Sequence, residues 1–289
     1  MPGEEKKPNA SMIKEIVIAV VAVIVLGSGV AYWYVNYQVP HNEAVGAFEE
    51  AARGLAQRND ELDSAIEELQ GLMGSDAKPL DSEMLNAASA EIGDAQGAKQ
   101  DAPEMPGETG EINEAAHEIE GMGDYTQQLE ALSAAQSNLQ RSIDQRIQVT
   151  NPSEQFVIER IAGLPTITGV EAATENNDPN GGLGKAGNYT AQVFFSSDLV
   201  DPTNVYADDN YTGIPSLGTD AGGSVEVYAS EEDAEKRNEY LTSLDGTILR
   251  VGAHTVVGTC IVRVSDLLTA SQQKEVGDSI IQSLIELEV

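Results

Sequence analysis

The residues with most chemistry to offer sit in two polar loops. The first, residues 175–188, places Glu175, Asp178 and Asn180 within six positions. Three such oxygen donors are the ligand type a hard cation such as calcium takes. An EF-hand would need a glutamate eleven residues after Asp178, and Tyr189 stands there. The competing reading is a turn-rich loop in which Asp-Pro-Asn-Gly supplies the backbone geometry. Gly184-Lys185 has the look of a phosphate loop. However, Ala186 replaces the Ser or Thr that would hold magnesium, and the segment leads into a strand and not a helix. The second loop, residues 197–223, holds Asp198, Asp201, Asp208, Asp209 and Asp220 together with Tyr206 and Tyr211. A loop of that length inside a compact domain is functional or mobile. The candidate binding residues are therefore Asp178, Asn180, Tyr206, Asp208, Asp209 and Tyr211, and the candidate metal ligands are Glu175, Asp178 and Asn180.

Catalytic chemistry finds little to work with. The single cysteine, Cys260, lies in a Val- and Ile-rich run that predicts a buried, inert thiol. His254 is near it in sequence, but a Cys/His dyad needs both to converge on one cleft, and neighbours along a strand do not. His41, His117 and His254 form no ligand motif, and no Gly-x-Ser-x-Gly elbow is present. One cysteine also excludes a disulfide framework, a CxxC pair and a Cys-rich zinc site. The expectation is a protein that is not an enzyme and has no cofactor, calcium in the first loop being the one candidate. The 289 residues carry 48 acids against 16 Lys and Arg, a net charge of -32. That excludes a nucleic-acid partner, because phosphate contacts need cations.

Something must carry these loops, and the clearest element is at the start. Residues 16–35 contain no charge and are mostly Ile, Val, Leu and Ala. As a helix they would span about 30 Å, the hydrocarbon thickness of a bilayer. Tyr32, Trp33, Tyr34 and Tyr37 cluster at the C-terminal end of the run, where amphipathic rings prefer the headgroup layer. Lys6, Lys7 and Lys14 precede the run and no Lys or Arg follows it until Arg53, so the positive-inside bias puts the N-terminus in the cytoplasm. The resulting division is a cytoplasmic tail (1–15), a transmembrane helix (16–37) and an extracellular remainder. Two rival readings are a cleaved signal peptide and a pilin-type leader, in which cleavage after Ala10 would leave Glu15 fifth in a pilin-like subunit. All three export the rest of the chain.

The exported part changes composition near Asn151-Pro152, predicting a helical bundle over 41–150 and a second domain over 151–289. In the first, Phe48, Leu55, Leu62 and Leu69 form one heptad seam, and Val45, Ala52, Asn59, Ile66 and Met73 form another. A shorter helix is expected over about 81–100. A third is expected over about 111–149, with Met122, Leu129, Gln136 and Ile143 on one seam and Tyr125, Leu132 and Leu139 on the other. The expected architecture is a three-helix bundle stalk, with Asn59 and Gln136 meeting in one polar layer that fixes register. In the second domain, strands are predicted over 167–174, 189–196, 224–229 and 254–264, and helices over 152–163, 230–244 and 269–287. The expected fold class is α+β: an antiparallel sheet with helices on one face.

Three blocks in the second domain carry a resemblance: DPNGGLGKAGNYTA (178–191), GGSVEVYASEEDAEKRNEY (222–240) and LTASQQ (268–273). They resemble an uncharacterised family of exported, membrane-attached proteins of Gram-positive bacteria, some of which carry an Ebh-type extracellular-matrix-binding label. The resemblance covers roughly residues 165–285. It implies a bacterial cell-surface protein and supplies no catalytic residue. The functional expectation is a membrane-anchored, non-enzymatic binding or adhesion module that contacts the lipid bilayer through 16–37 and an envelope or matrix component through its distal loops. The alternatives are an extracytoplasmic ligand or calcium sensor and a pilin-like subunit.

Overall fold

A computed structural model describes residues 10–206, 212–247 and 251–287. Helix α1 (Ala10–Trp33) carries most of the apolar run, whose side chains are exposed. It passes through a π-helical turn, Tyr34–Gln38, into α2 (Val39–Met73), so helix continues without interruption to Met73. The wide turn has a local cause. Pro40 has no N–H to give to the carbonyl of Asn36, and its ring crowds that carbonyl. The chain opens by one residue there, and Val39 N–H bonds to Tyr34 O, five residues back.

By contacts the chain divides into two units, and the division does not fall at 150/151. One comprises residues 1–70 and 90–133, the other 71–89 and 134–289. In the first unit, Phe48, Leu55, Leu62 and Leu69 of α2 are buried as the heptad predicted. Of the second predicted seam only Ile66 is fully buried, while Ala44 and Ala51 take the inward places. Ala44, Phe48, Ala51 and Leu55 pack against Ile112, Ala115, Ala116 and Ile119 of α4 (Thr109–Glu120). Helix α3 (Glu83–Ala98) matches the expected shorter helix.

The predicted third helix is in fact two, α4 and α5 (Thr126–Gln148). Its heptad count runs straight through the break, so periodicity could not reveal it. Gly121 and Gly123 make the break. Gly123 has φ 71°, and a Cβ there would lie 2.7 Å from Leu55 Cδ1. Asp124 then closes the new N-terminus by accepting from the Thr126 amide and hydroxyl.

In the second unit, β1 (Ile167–Ala172), β2 (Ala191–Ser197), β3 (Gly222–Val227), β4 (Ala253–Val257) and β5 (Cys260–Val264) form one antiparallel sheet in the order β1-β2-β3-β5-β4. The run over 254–264, expected as one strand, is a hairpin, with Val257 paired to Cys260 across Gly258-Thr259. Gly258 has φ 58°, the position where a two-residue hairpin turn demands glycine.

The expectation of helices on one face is also corrected. Helices α6 (Glu154–Ile161) and α8 (Ala270–Ile285) cover one face, burying Val157, Ile161, Val276, Ile280 and Leu284 against Val193, Phe195, Val225, Val227, Val262 and Val264. Helix α7 (Glu231–Leu244) lies on the other, where Ala234 and Leu241 pack with Ile261, Tyr189 and Tyr228. Strand alternation assigns the faces: Ala191, Val193 and Phe195 of β2 and Val225 and Val227 of β3 point to the α6 and α8 side, while Gln192, Ser224 and Glu226 project to the α7 side. The sequence period marks only one strongly apolar face, so the second layer was invisible to it.

Candidate functional site

The two loops flagged in the sequence lie at opposite ends of the sheet. Residues 173–190 join the end of β1 to the start of β2, and residues 198–221 join the end of β2 to the start of β3. Seven-residue β2 separates them by about 20 Å. They therefore form two surfaces, and not the single contact surface expected.

In the first loop Asp178 is a clasp. Its Oδ1 accepts from the Tyr189 hydroxyl at 2.6 Å and the Asn180 amide at 3.0 Å, and its Oδ2 accepts from the Leu183 amide at 2.8 Å. Burial pushes the Asp178 carboxyl up, but these hydrogen bonds outweigh it and hold the group below its ordinary range. Burial of Tyr189, with the same bond adding to it, pushes its phenol up to about 12. Asn180 meets Asp178 through its backbone, and Glu175 is exposed. The carboxylate that would anchor a calcium ion thus ties the loop to itself, as far as Tyr189 just before β2. Among the described residues no three His, Cys, Asp or Glu side chains gather for a metal.

Described residues of the second loop, with neighbours on β1 and β2, line an open pocket of about 520 Å³, within the range of small-ligand sites. Val200, Pro202, Val205, Leu217 and Ala221 make its apolar side. Thr168, Ser196, Ser197 and Asp198 make its polar side. The elements that shape it are fixed from several directions. Thr168 Oγ1 and Ser196 Oγ are 2.9 Å apart across β1 and β2. The Asp198 amide donates to Thr166 O, and the Ser197 amide to Ala221 O. Asp201 accepts from the amide and hydroxyl of Thr203, starting the short turn Pro202–Asn204. Ile214, opening the turn Ile214–Leu217, donates its amide to Glu171 Oε2 at 2.9 Å. Beside the Ala221 wall, burial and the nearby Asp266 charge push the Asp220 carboxyl above its ordinary value. Tyr206, which follows Val205, is 79% exposed. The other predicted binding residues of this loop, Asp208, Asp209 and Tyr211, lie outside the described residues.

The predicted bundle pair takes a different form. Asn59 Oδ1 accepts from the Tyr125 hydroxyl at 2.7 Å, and Asn59 Nδ2 donates to Gln100 O at 2.9 Å. The Gln100 amide in turn donates to Tyr125 Oη, and Gln100 Oε1 accepts from the Gly123 amide. A polar layer exists at Asn59, built with Tyr125 and Gln100 in place of Gln136, which is half-buried on α5 in the other unit. The reason is the helix break: Gly123 and Tyr125 leave the helical path and bring a hydroxyl where a carboxamide was expected.

One densely bonded polar group among the described residues escaped the sequence reading. Glu226, 0% exposed on β3, accepts from Arg263 Nη1 at 2.9 Å, Arg237 Nε at 3.0 Å, Arg237 Nη2 at 3.1 Å and Tyr228 Oη at 2.7 Å. The signal was present as Glu226 and Arg263, opposite charges at inward positions of two β-branched runs. Cys260 faces the α8 side and its burial pushes the thiol up to about 12. His254 pairs opposite Arg263, hence on the α7 side, with Nδ1 2.8 Å from Asn238 Oδ1. The two do not converge. Tyr32, Trp33, Tyr34 and Tyr37 are exposed around the π-helical turn, and one N-terminal helix is long and apolar enough to span a membrane. No protein-family model matches the chain, and neither a curated protein nor a solved structure matches it.

Proposed function

We propose that the chain is a single-pass, membrane-anchored bacterial surface protein, N-terminus inside, whose distal α+β domain binds an envelope or matrix component without catalysing a reaction. The observation that carries this reading is the pocket of about 520 Å³ walled by the 198–221 loop, on a chain whose α1 is apolar and unburied. A bilayer would cover such a helix along its apolar length. The aromatic cluster at Tyr32–Tyr37 suits the outer headgroup layer, and Lys6, Lys7 and Lys14 suit the inner side. The resemblance of residues 165–285 to exported, membrane-attached Gram-positive proteins supports the same placement.

The test uses cells displaying the full chain. Protease treatment of intact cells should remove the 151–289 region, and retained envelope material should fall when Leu217→Trp fills the pocket while surface display is unchanged. Protection of that region, or equal retention by the variant, overturns the reading. The uninterrupted helix from Ala10 to Met73 also suits a pilin-like subunit. The mass of the mature chain separates the two: an anchor keeps residues 1–10, and a pilin-like subunit loses them.

A further inference from the structure

We infer that the pocket of the 198–221 loop selects a cationic ligand: a primary ammonium on an aliphatic body. This rests on the reading of that pocket as the binding site and adds the chemistry of its occupant. The apolar side, with Val200, Val205 and Leu217, calls for a hydrocarbon body. The polar side is rich in acceptors. One of the Thr168 and Ser196 hydroxyls donates to the other, which leaves the pair one free O–H and spare acceptor lone pairs, and Ser197 Oγ accepts from the Leu199 amide. Asp198 contributes an exposed carboxylate, which only accepts. No Lys, Arg or His is among the described lining residues. An ammonium brings three donors and no acceptor, which suits Asp198, the one charged group among the described lining residues, and the lone pairs of the hydroxyls beside it.

Electrostatics point the same way. At longer range the net charge of -32 draws cations in and turns anions away.

The experiment titrates the full chain in nanodiscs with three probes of one shape: cyclohexylmethylamine, cyclohexylmethanol and cyclohexanecarboxylate. Affinities are read at low and moderate salt, and Leu217 and Val205 methyl shifts locate the binding. The amine should bind most tightly and the carboxylate should not bind. Asp198→Asn should weaken the amine about fivefold and leave the alcohol unchanged. Leu217→Trp should abolish both. Equal binding of amine and alcohol, or binding of the carboxylate, overturns the charge selection and leaves the pocket standing. Amine binding that survives Leu217→Trp places the cation elsewhere on the acidic surface and overturns the inference. Binding of no probe overturns the inference and the pocket reading together.

Discussion

Arg263 Nη1 donates to Glu226 Oε1 at 2.9 Å inside the α+β unit, with Glu226 0% and Arg263 9% exposed. Arg237 joins them from α7, so one carboxylate ties β3, β5 and α7 together. Burial alone would push Glu226 up. The Arg263 and Arg237 charges and the Tyr228 hydroxyl outweigh it and hold the carboxyl below its ordinary value of 4.5. Glu226→Ala would leave two guanidinium groups without their shared partner, and unfolding in urea should show a loss of about 3–5 kcal/mol. Arg237→Met should cost less, because Arg237 is partly exposed and Arg263 still pairs the carboxylate.

The pH dependence follows with a definite sign. A carboxyl whose folded pKa is depressed stabilises fully above its unfolded value, near 4.5, and loses that contribution as pH falls toward the folded value. Stability measured between pH 6 and pH 3 should therefore fall less steeply in Glu226→Gln than in the natural chain. Parallel curves would remove Glu226 from the acid response.

Tyr189 makes the corresponding prediction at high pH. Burial and its bond to Asp178 push the phenol up to about 12 from an ordinary 10.0. A raised phenol stabilises below its unfolded pKa and loses that contribution as pH rises toward the folded value. Titration of the nine tyrosines at 295 nm should show a late-ionising class that shrinks in Tyr189→Phe. The same variant should lose about 1 kcal/mol and speed amide exchange at Gly182, whose N–H loses the Tyr189 hydroxyl as its acceptor.

The composition shift at residue 151 is real, but it does not mark where the distal fold begins. Val149 is 0% exposed in the core formed by α6, α8 and the sheet, and its carbonyl accepts the Thr259 amide. Gln148 Nε2 donates to Leu284 O. A fragment 134–289 should unfold at higher urea than 151–289, by about 2 kcal/mol or more. Equal stabilities would show that the end of α5 adds nothing to this fold.

Sequence read the period-dominated elements well. The Phe48–Leu69 seam, β2, α7 and α8 announce themselves through spacing or capping, with Ser230 and Thr269 accepting from the amides of Asp233 and Gln272 as N-caps do. It failed where one glycine overrides a period. Gly123 divides a helix whose heptads count straight through, and Gly258 folds a strand whose β-branched run is unbroken. It also failed where partners are distant in sequence. The Thr168–Ser196 wall of the pocket and the Glu226–Arg263 pair exist only once strand order is known. The 198–221 loop was found by its length. The pocket it makes was not, because its apolar side chains, Val200, Val205 and Leu217, were overlooked among conspicuous acids and tyrosines.

Gln192 provides the sharpest test of the sheet's polar face. It is 1% exposed, opposite Glu226 on β3, and neither atom of its amide has a hydrogen-bond partner within the protein. The neighbouring Ser224 Oγ and Arg263 Nε share that condition. Each buried, unpartnered polar atom carries an uncompensated desolvation cost, so an apolar side chain of similar length removes the cost without opening a cavity. Gln192→Met should raise stability by about 1–2 kcal/mol in urea unfolding. A loss instead would mean that ordered water bridges Gln192, Ser224 and Arg263, and long-lived water contacts to the Gln192 amide protons in NMR would then identify it.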